Sequence, residues 1–181
     1  MSKEKVLTKK DLRKAAWRWL IGISTFNYET QLAPSTLFSV YPCLRKMYPD
    51  DEDLKKSCLN YMRYYNTMPW ISPFVIGAAL GIEDEGGISS LDAVNDFKVG
   101  LMGPLAGIGD TINHGMLRPL LLSMFIPLAA EGNWLAGVGP LLIWGVAITF
   151  LAYTLVTKGY TLGRKSVVSI LKSGKLNQFI K

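Results

Sequence analysis

The chain has 181 residues, 49% of them hydrophobic and 19% charged, with a mean hydropathy of +0.20. That length suits one ordinary domain, and between Arg118 and Lys158 the only charged side chain is Glu131, a distribution that points to a membrane protein. The net charge of +6 gathers at the two ends; beside apolar spans, and with no nucleic-acid recognition motif, it reads as a positive-inside bias that places both termini in the cytoplasm, not as a nucleic-acid surface.

At the N-terminus Lys3, Lys5, Lys9, Lys10, Arg13, Lys14 and Arg18 are opposed only by Glu4 and Asp11. From Thr8, TKKDLRKAAWRWL predicts an amphipathic helix with Leu12, Ala15, Ala16 and Trp19 on one face. Basic residues beside tryptophans suit a helix lying on the inner leaflet; a helix docked on a partner subunit is the other reading. The charged run leads into no apolar core and cleavage site, so no signal peptide is expected.

Beyond Ile23, apolar residues mix with Ser24, Thr25, Asn27, Glu29, Thr30 and Gln31, without a run of membrane length. A lone Glu29 there needs a partner, unless Asn27 or Thr25 caps a helix that holds it in the first turn. Asp50–Asp53 predict a helix N-terminus with a solvated face. Cys43 and Cys58 lack metal-ligand spacing and are expected to be reduced, packing thiols. The uncharged stretch Met68–Ile82 would rise about 22 Å as a helix, short of the roughly 30 Å hydrocarbon layer. With Pro69 and Pro73 interrupting it, a re-entrant segment or a buried hairpin arm is expected. Asn66 and Thr67 stand at its mouth, either as groups that hydrogen-bond a sugar or as an Asx-type turn closing the preceding helix. Glu83–Lys98 reads as a loop and a short amphipathic helix starting near Ser89 or Ser90.

VGLMGPLAGIGDTINHGMLRP, from Val99 to Pro119, then places glycine and proline in the most apolar part of the chain. Gly103, Pro104, Gly107 and Gly109 are expected to break the helix. Asp110, Asn113, His114 and Arg118 share one helical face, and a polar stripe beside a broken membrane helix is how transporters hold substrate. A ladder in which these groups satisfy one another and neighbouring helices is the competing reading. Asp and Asn suit sugar hydroxyls. His114 is the only histidine, and too few carboxylates surround it for a metal site; no phosphate-binding nest marks it as a phosphohistidine. Gly103 and Gly107 also form GxxxG, which allows close helix contact. After a polar turn at Glu131–Asn133, Trp134–Thr157 is the clearest transmembrane helix, about 36 Å long, with Trp134 and Tyr160 near its ends.

The expected fold is all-α: a single membrane-embedded domain over 1–181. It comprises an amphipathic interfacial arm (1–22), a mixed helical and re-entrant region (23–98), a membrane hairpin with a broken helix and at least one full transmembrane helix (99–157), and a basic cytoplasmic tail (158–181).

GLMGPLAGIGD followed by RP resembles the signature of the IID component of mannose-family sugar phosphotransferase systems. FNYE at Phe26–Glu29 and YYNTMP at Tyr64–Pro69 resemble two further landmarks of that family in the same order, and the similarity runs from about Leu7 to Leu176. By motif position the resemblance implies sugar-site roles for Asn27, Tyr28, Glu29, Asn66, Thr67 and Asp110, with Asn113 and His114 beside them. It further implies a multi-pass subunit of the cytoplasmic membrane that pairs with a IIC subunit, forms oligomers of such pairs, and works with soluble IIA and IIB phosphocarriers. The pair would bind and translocate a hexose of the mannose, fructose, sorbose or N-acetylhexosamine class, and IIB would phosphorylate it. IID itself would then need no catalytic residue and no cofactor. Three departures stand out. Thr30, Gln31 and Leu32 follow Glu29 where the family often has Arg-Met-Gln. Asn113 and His114 replace residues that are commonly aromatic or apolar, which points to a different sugar selectivity. Typical members also continue with further membrane segments, so a short variant, a split-gene half or a fragment is expected. A non-transporting assembly or regulatory membrane subunit is the alternative function.

Overall fold

The computed structural model describes the backbone of residues 5–173 and the side chains of residues 5–165. Lys3, Glu4, Lys175 and Lys181 lie outside the described residues, as does the side chain of Lys172. Every regular element among the described residues is helical, as expected.

Helix α1 (Lys9–Gly22) starts at a capping box: Thr8 Oγ1 accepts from the Asp11 amide at 3.4 Å, and Asp11 Oδ2 accepts from the Thr8 amide at 2.8 Å. The anticipated face is buried, Leu12, Ala15, Ala16 and Trp19 all being under 5% exposed. It packs against α2 (Ala33–Met47) and α8 (Leu135–Ser173). This apolar stripe packs inside the chain, so it is the other faces of α1, with Trp17 and Ile21 exposed, that are left for a leaflet or a partner. Helix α3 (Asp51–Tyr61) begins as predicted, with Asp50 as N-cap accepting from the Asp53 amide at 3.0 Å. Helix α4 (Ser72–Gly86) has Pro73 in its first turn, where a missing N–H costs nothing, so this proline starts the helix and does not interrupt it.

The loops 23–32 and 62–71 meet at one end of this bundle. Leu32 N donates to Tyr65 O at 2.9 Å, and Tyr65 N donates to Thr30 O at 3.4 Å. Exposed charges gather towards the opposite end, at Lys9–Lys14 and Arg45–Lys56, whereas Phe26, Tyr28, Phe38, Leu59 and Tyr64 are exposed nearer the loops. Cys43 is buried on α2, which pushes its thiol up to about 12, while Cys58 is half-buried. A maleimide at neutral pH is therefore expected to label Cys58 in the folded protein and Cys43 only after denaturation, read by mass spectrometry.

Helices α4 and α8 run parallel and touch through glycines. A Cβ added at Gly77 would lie 2.1 Å from Val156 O, and one at Gly81 would lie 2.3 Å from Tyr160 O. Reciprocally, Gly159 would meet Phe74 O and Gly163 would meet Ala78 O, each at 2.1 Å. Two GxxxG pairs thus interlock backbone to backbone. Gly103 and Gly107, the pair singled out above, have no neighbouring atom within 4 Å of such a Cβ. Close contact at that motif is not made among the described residues.

The end of this junction nearer Arg164 is ionic. Arg164, 6% exposed, donates to Asp84 Oδ2 at 2.6 Å and pairs with Glu85 Oε2 at 2.6 Å. Tyr160 OH also donates to Asp84. Nearby, Lys98 is 2% exposed; its Nζ donates to Asn60 O at 3.2 Å and lies 5.0 Å from the Tyr61 ring centroid. Burial pushes the Glu83 carboxyl up, and Ser57 donates to it at 2.5 Å.

The expected break at Gly103, Pro104, Gly107 and Gly109 does not occur. Helix α5 (Leu91–Ile112) runs through all four, and the short helix expected near Ser89 or Ser90 is simply its first turns. The interruption comes later, as a π-helical turn at Asn113–Leu117, before α6 (Arg118–Ser123) and α7 (Ile126–Ala130). Gly132, at φ +71°, makes the turn at Glu131–Asn133. Helix α8 then returns for 39 residues, about 58 Å. Its span Leu135–Lys165 holds an 18-residue window with a mean hydropathy of 2.0 and is long and apolar enough to cross a membrane. Leu141, Val146 and Phe150 there are each 72% exposed, as lipid-facing side chains would be. Residues 158–173, assigned above to the basic tail, continue α8, and Arg164 among them is buried against acids of α4.

Candidate functional site

The loop 62–71 is pinned on three sides. Trp19 Nε1 donates to Pro69 O at 2.9 Å, Tyr65 OH and Ser72 Oγ are 2.9 Å apart, and Trp70 packs edge-on against Trp144 of α8, ring centroids 6.4 Å apart. On the fourth side α5 presses in at Gly109, where a Cβ would stand 2.5 Å from Met68 Cβ. The absence of a side chain at Gly109 lets α5 close on this loop, which brings Asp110, the next residue, to the same cleft as Asn66 and Thr67. These three line a cleft of about 250 Å³, together with Phe26, Met68 and Ala106 among others.

Within the cleft the polar groups are poised rather than paired. Thr67 is 4% exposed, and its Oγ1 has no hydrogen-bond partner among the described residues. Asn66 is exposed and sits five residues beyond the end of α3, so the Asx-type turn does not account for it. Asp110, 61% exposed at its side chain, lies 4.0 Å from His114 Nε2. A carboxylate, an amide and a hydroxyl beside an aromatic ring supply both acceptors and donors for a polyhydroxylated ligand.

The other anticipated residues are placed differently. Asn27 Oδ1 accepts from the amides of Glu29 at 3.0 Å and Thr30 at 2.8 Å, an Asx turn that shapes the loop and caps no helix. Tyr28, 93% exposed, packs edge-on against Phe26, ring centroids 6.0 Å apart, and Glu29 is exposed; neither lines the cleft. Asn113 is buried with its Oδ1 unpartnered, its amide nitrogen 3.3 Å from His114 Nε2. Neither Asn113 nor His114 lines the cleft. Arg118 is exposed beyond the π turn and does not line the cleft. The sequence reading missed Phe26, Met68 and Ala106; Phe26 opens the same motif that drew attention to Asn27–Glu29. Among the described residues no three His, Cys, Asp or Glu side chains converge as metal ligands.

A family model for the mannose/fructose/sorbose-family IID component of the phosphotransferase system matches residues 6–181. The chain is 34% identical over 161 residues to the mannose-specific EIID component of Escherichia coli K12, covering 87% of this chain and 55% of that one. It is 33% identical over 165 residues to the fructose permease IID component of Bacillus subtilis 168, covering 90% and 58%. Against the sorbose-specific EIID component of Lacticaseibacillus casei the identity is 33% over 162 residues, covering 87% and 56%. The chain therefore spans little more than half the length of the curated relatives it matches. Its structure is similar to a chain in a cryo-EM structure of the mannose transporter ManYZ in complex with microcin E492, with a TM-score of 0.83 and 31% identity over 90% of this chain and 61% of that one.

Proposed function

Since the chain belongs to the IID component family of mannose/fructose/sorbose phosphotransferase systems, we propose that it builds part of a hexose site in the cytoplasmic membrane and moves the sugar together with a IIC subunit. In this reading soluble IIA and IIB proteins carry the phosphoryl group, and IIB transfers it to the sugar. This chain contributes binding groups, with no nucleophile of its own.

The observation that carries the proposal is the unpartnered Thr67 hydroxyl, buried in a cleft that also gathers Asn66 and Asp110 from separate parts of the chain. A buried polar group left unsatisfied costs roughly 1–3 kcal/mol, which a sugar hydroxyl would recover. Depth supports the same reading. Trp70 beside the cleft packs on Trp144, about 15 Å of helix from Trp134. With Trp134 at the outer interface, the cleft falls near the middle of the roughly 30 Å hydrocarbon layer, where transporters bind substrate. Helices α5 and α6 would cross outward, the Glu131–Asn133 turn would lie outside, and α8 would return, leaving the basic ends cytoplasmic. The exposed Tyr28, Glu29 and His114 would complete the chamber against the partner subunit.

Uptake of radiolabelled mannose, fructose, sorbose and N-acetylglucosamine in cells supplying IIC, IIA and IIB tests this. Asp110→Ala and Thr67→Val are each expected to lower uptake of the transported sugar at least about tenfold, the loss of one hydrogen bond to a buried or charged group, with unchanged protein in the membrane. Full uptake in both Asp110→Asn and Glu29→Gln would instead assign the chain to the non-transporting assembly role.

A further inference from the structure

A second, larger cleft of about 930 Å³ opens between α1 and the membrane-crossing part of α8, away from the one described above. One wall is apolar: Leu142, Val146 and Phe150 from α8, with Leu20 and Trp17 from α1. The rim is cationic, with Lys10, Arg13 and Lys14 all lining it. Arg13 lies over the Tyr153 ring at 5.3 Å, which places the basic rim at the end of the cleft nearer Lys158. The adjacent acid, Asp11, is already engaged by Lys46 at 2.6 Å and by Thr8. None of the three rim cations forms an ion pair among the described residues.

We infer that this groove holds one anionic phospholipid, an acyl chain along Leu142, Val146 and Phe150 and the phosphate headgroup on Lys10, Arg13 and Lys14. The charge selects the occupant. Three uncompensated cations at the mouth of an apolar slot attract a net negative headgroup, as basic pockets beside membrane helices do. A zwitterionic lipid would gain much less, and a purely apolar helix would leave the cations unmatched. The groove also explains why α1 keeps a basic face although its apolar face is buried in the protein. This site is independent of the sugar cleft, and its failure would leave that proposal standing.

The full chain, with its membrane partner where the two co-purify, would be reconstituted in nanodiscs of phosphatidylcholine containing phosphatidylglycerol, extracted, and weighed intact by native mass spectrometry. One phosphatidylglycerol per chain is expected to survive extraction, preferred over phosphatidylcholine at least about tenfold. The variant Lys10→Gln/Arg13→Gln/Lys14→Gln is expected to lose that preference. Gly145 lines the groove and has open space around an added Cβ, so Gly145→Leu projects its side chain into the slot and is expected to expel the lipid with the cations intact. Retention in Gly145→Leu would mean surface adsorption and overturn the site. So would equal retention of both lipids, or absence of lipid from the complex because the partner subunit fills the groove.

Discussion

Replacing Gly163 with valine is expected to leave almost no folded protein in the membrane fraction. Its added carbons would enter a contact in which even a single Cβ stands 2.1 Å from Ala78 O, well inside van der Waals separation. The obstacle is backbone, so no rotamer change relieves it. The helices must part, and parting them breaks the reciprocal contacts at Gly77, Gly81 and Gly159 together. Overpacking of this kind costs about 3 kcal/mol or more, against a total stability of roughly 5–15 kcal/mol. Gly137→Ala, on the same helix but with nothing within 4 Å, is expected to fold normally. Fluorescence-detected size-exclusion of detergent-extracted protein separates the two; comparable monodisperse peaks for both variants would mean that α4 and α8 are not held by this contact.

Arg164→Met should have the second-largest effect on stability. Asp84 and Glu85 are adjacent on α4, their side chains 0% and 5% exposed, and both are neutralised by this one guanidinium at 2.6 Å. Removing it takes the cation from two buried carboxylates, and breaking a buried pair from one side typically costs about 3–5 kcal/mol. Asp84→Asn and Glu85→Gln added to Arg164→Met remove those charges and should restore most of the loss, because a neutral replacement of a whole buried ion cluster is often tolerated. The midpoint of heat inactivation in detergent is the readout. A single variant as stable as the parent, or a triple variant no better than the single, contradicts the charge account.

Much of this was legible from residue patterns alone. The Asp50 cap, the buried stripe of α1 and the long apolar α8 follow from local chemistry, since each signal and its consequence lie within a few turns of one helix. The glycine junction was in plain view as GAALG at 77–81 and GYTLG at 159–163. Spacing cannot say which GxxxG meets a partner inside the same chain, and Gly103 with Gly107 drew attention because it lay in a recognisable motif. Pro104 misled in a similar way: a helix can absorb one proline when the surrounding turns remain bonded, and α5 does so. The π turn at Asn113–Leu117 has no sequence signature that propensities would reveal. For the site, Asn66, Thr67 and Asp110 stand out by residue chemistry and spacing as well as by motif resemblance, yet their convergence depends on Gly109 lying against Met68, a contact between segments some forty residues apart in sequence.

Two fixed points on α8 also set its length. Trp144 seats the loop that carries Thr67, and Gly159 locks the helix to α4, which continues from that same loop. One residue inserted between them would turn the distal part by about 100° and lift it about 1.5 Å, so both attachments could not be kept. The segment 145–158 is in effect a ruler, and natural variation in its length should be far rarer than variation in its composition.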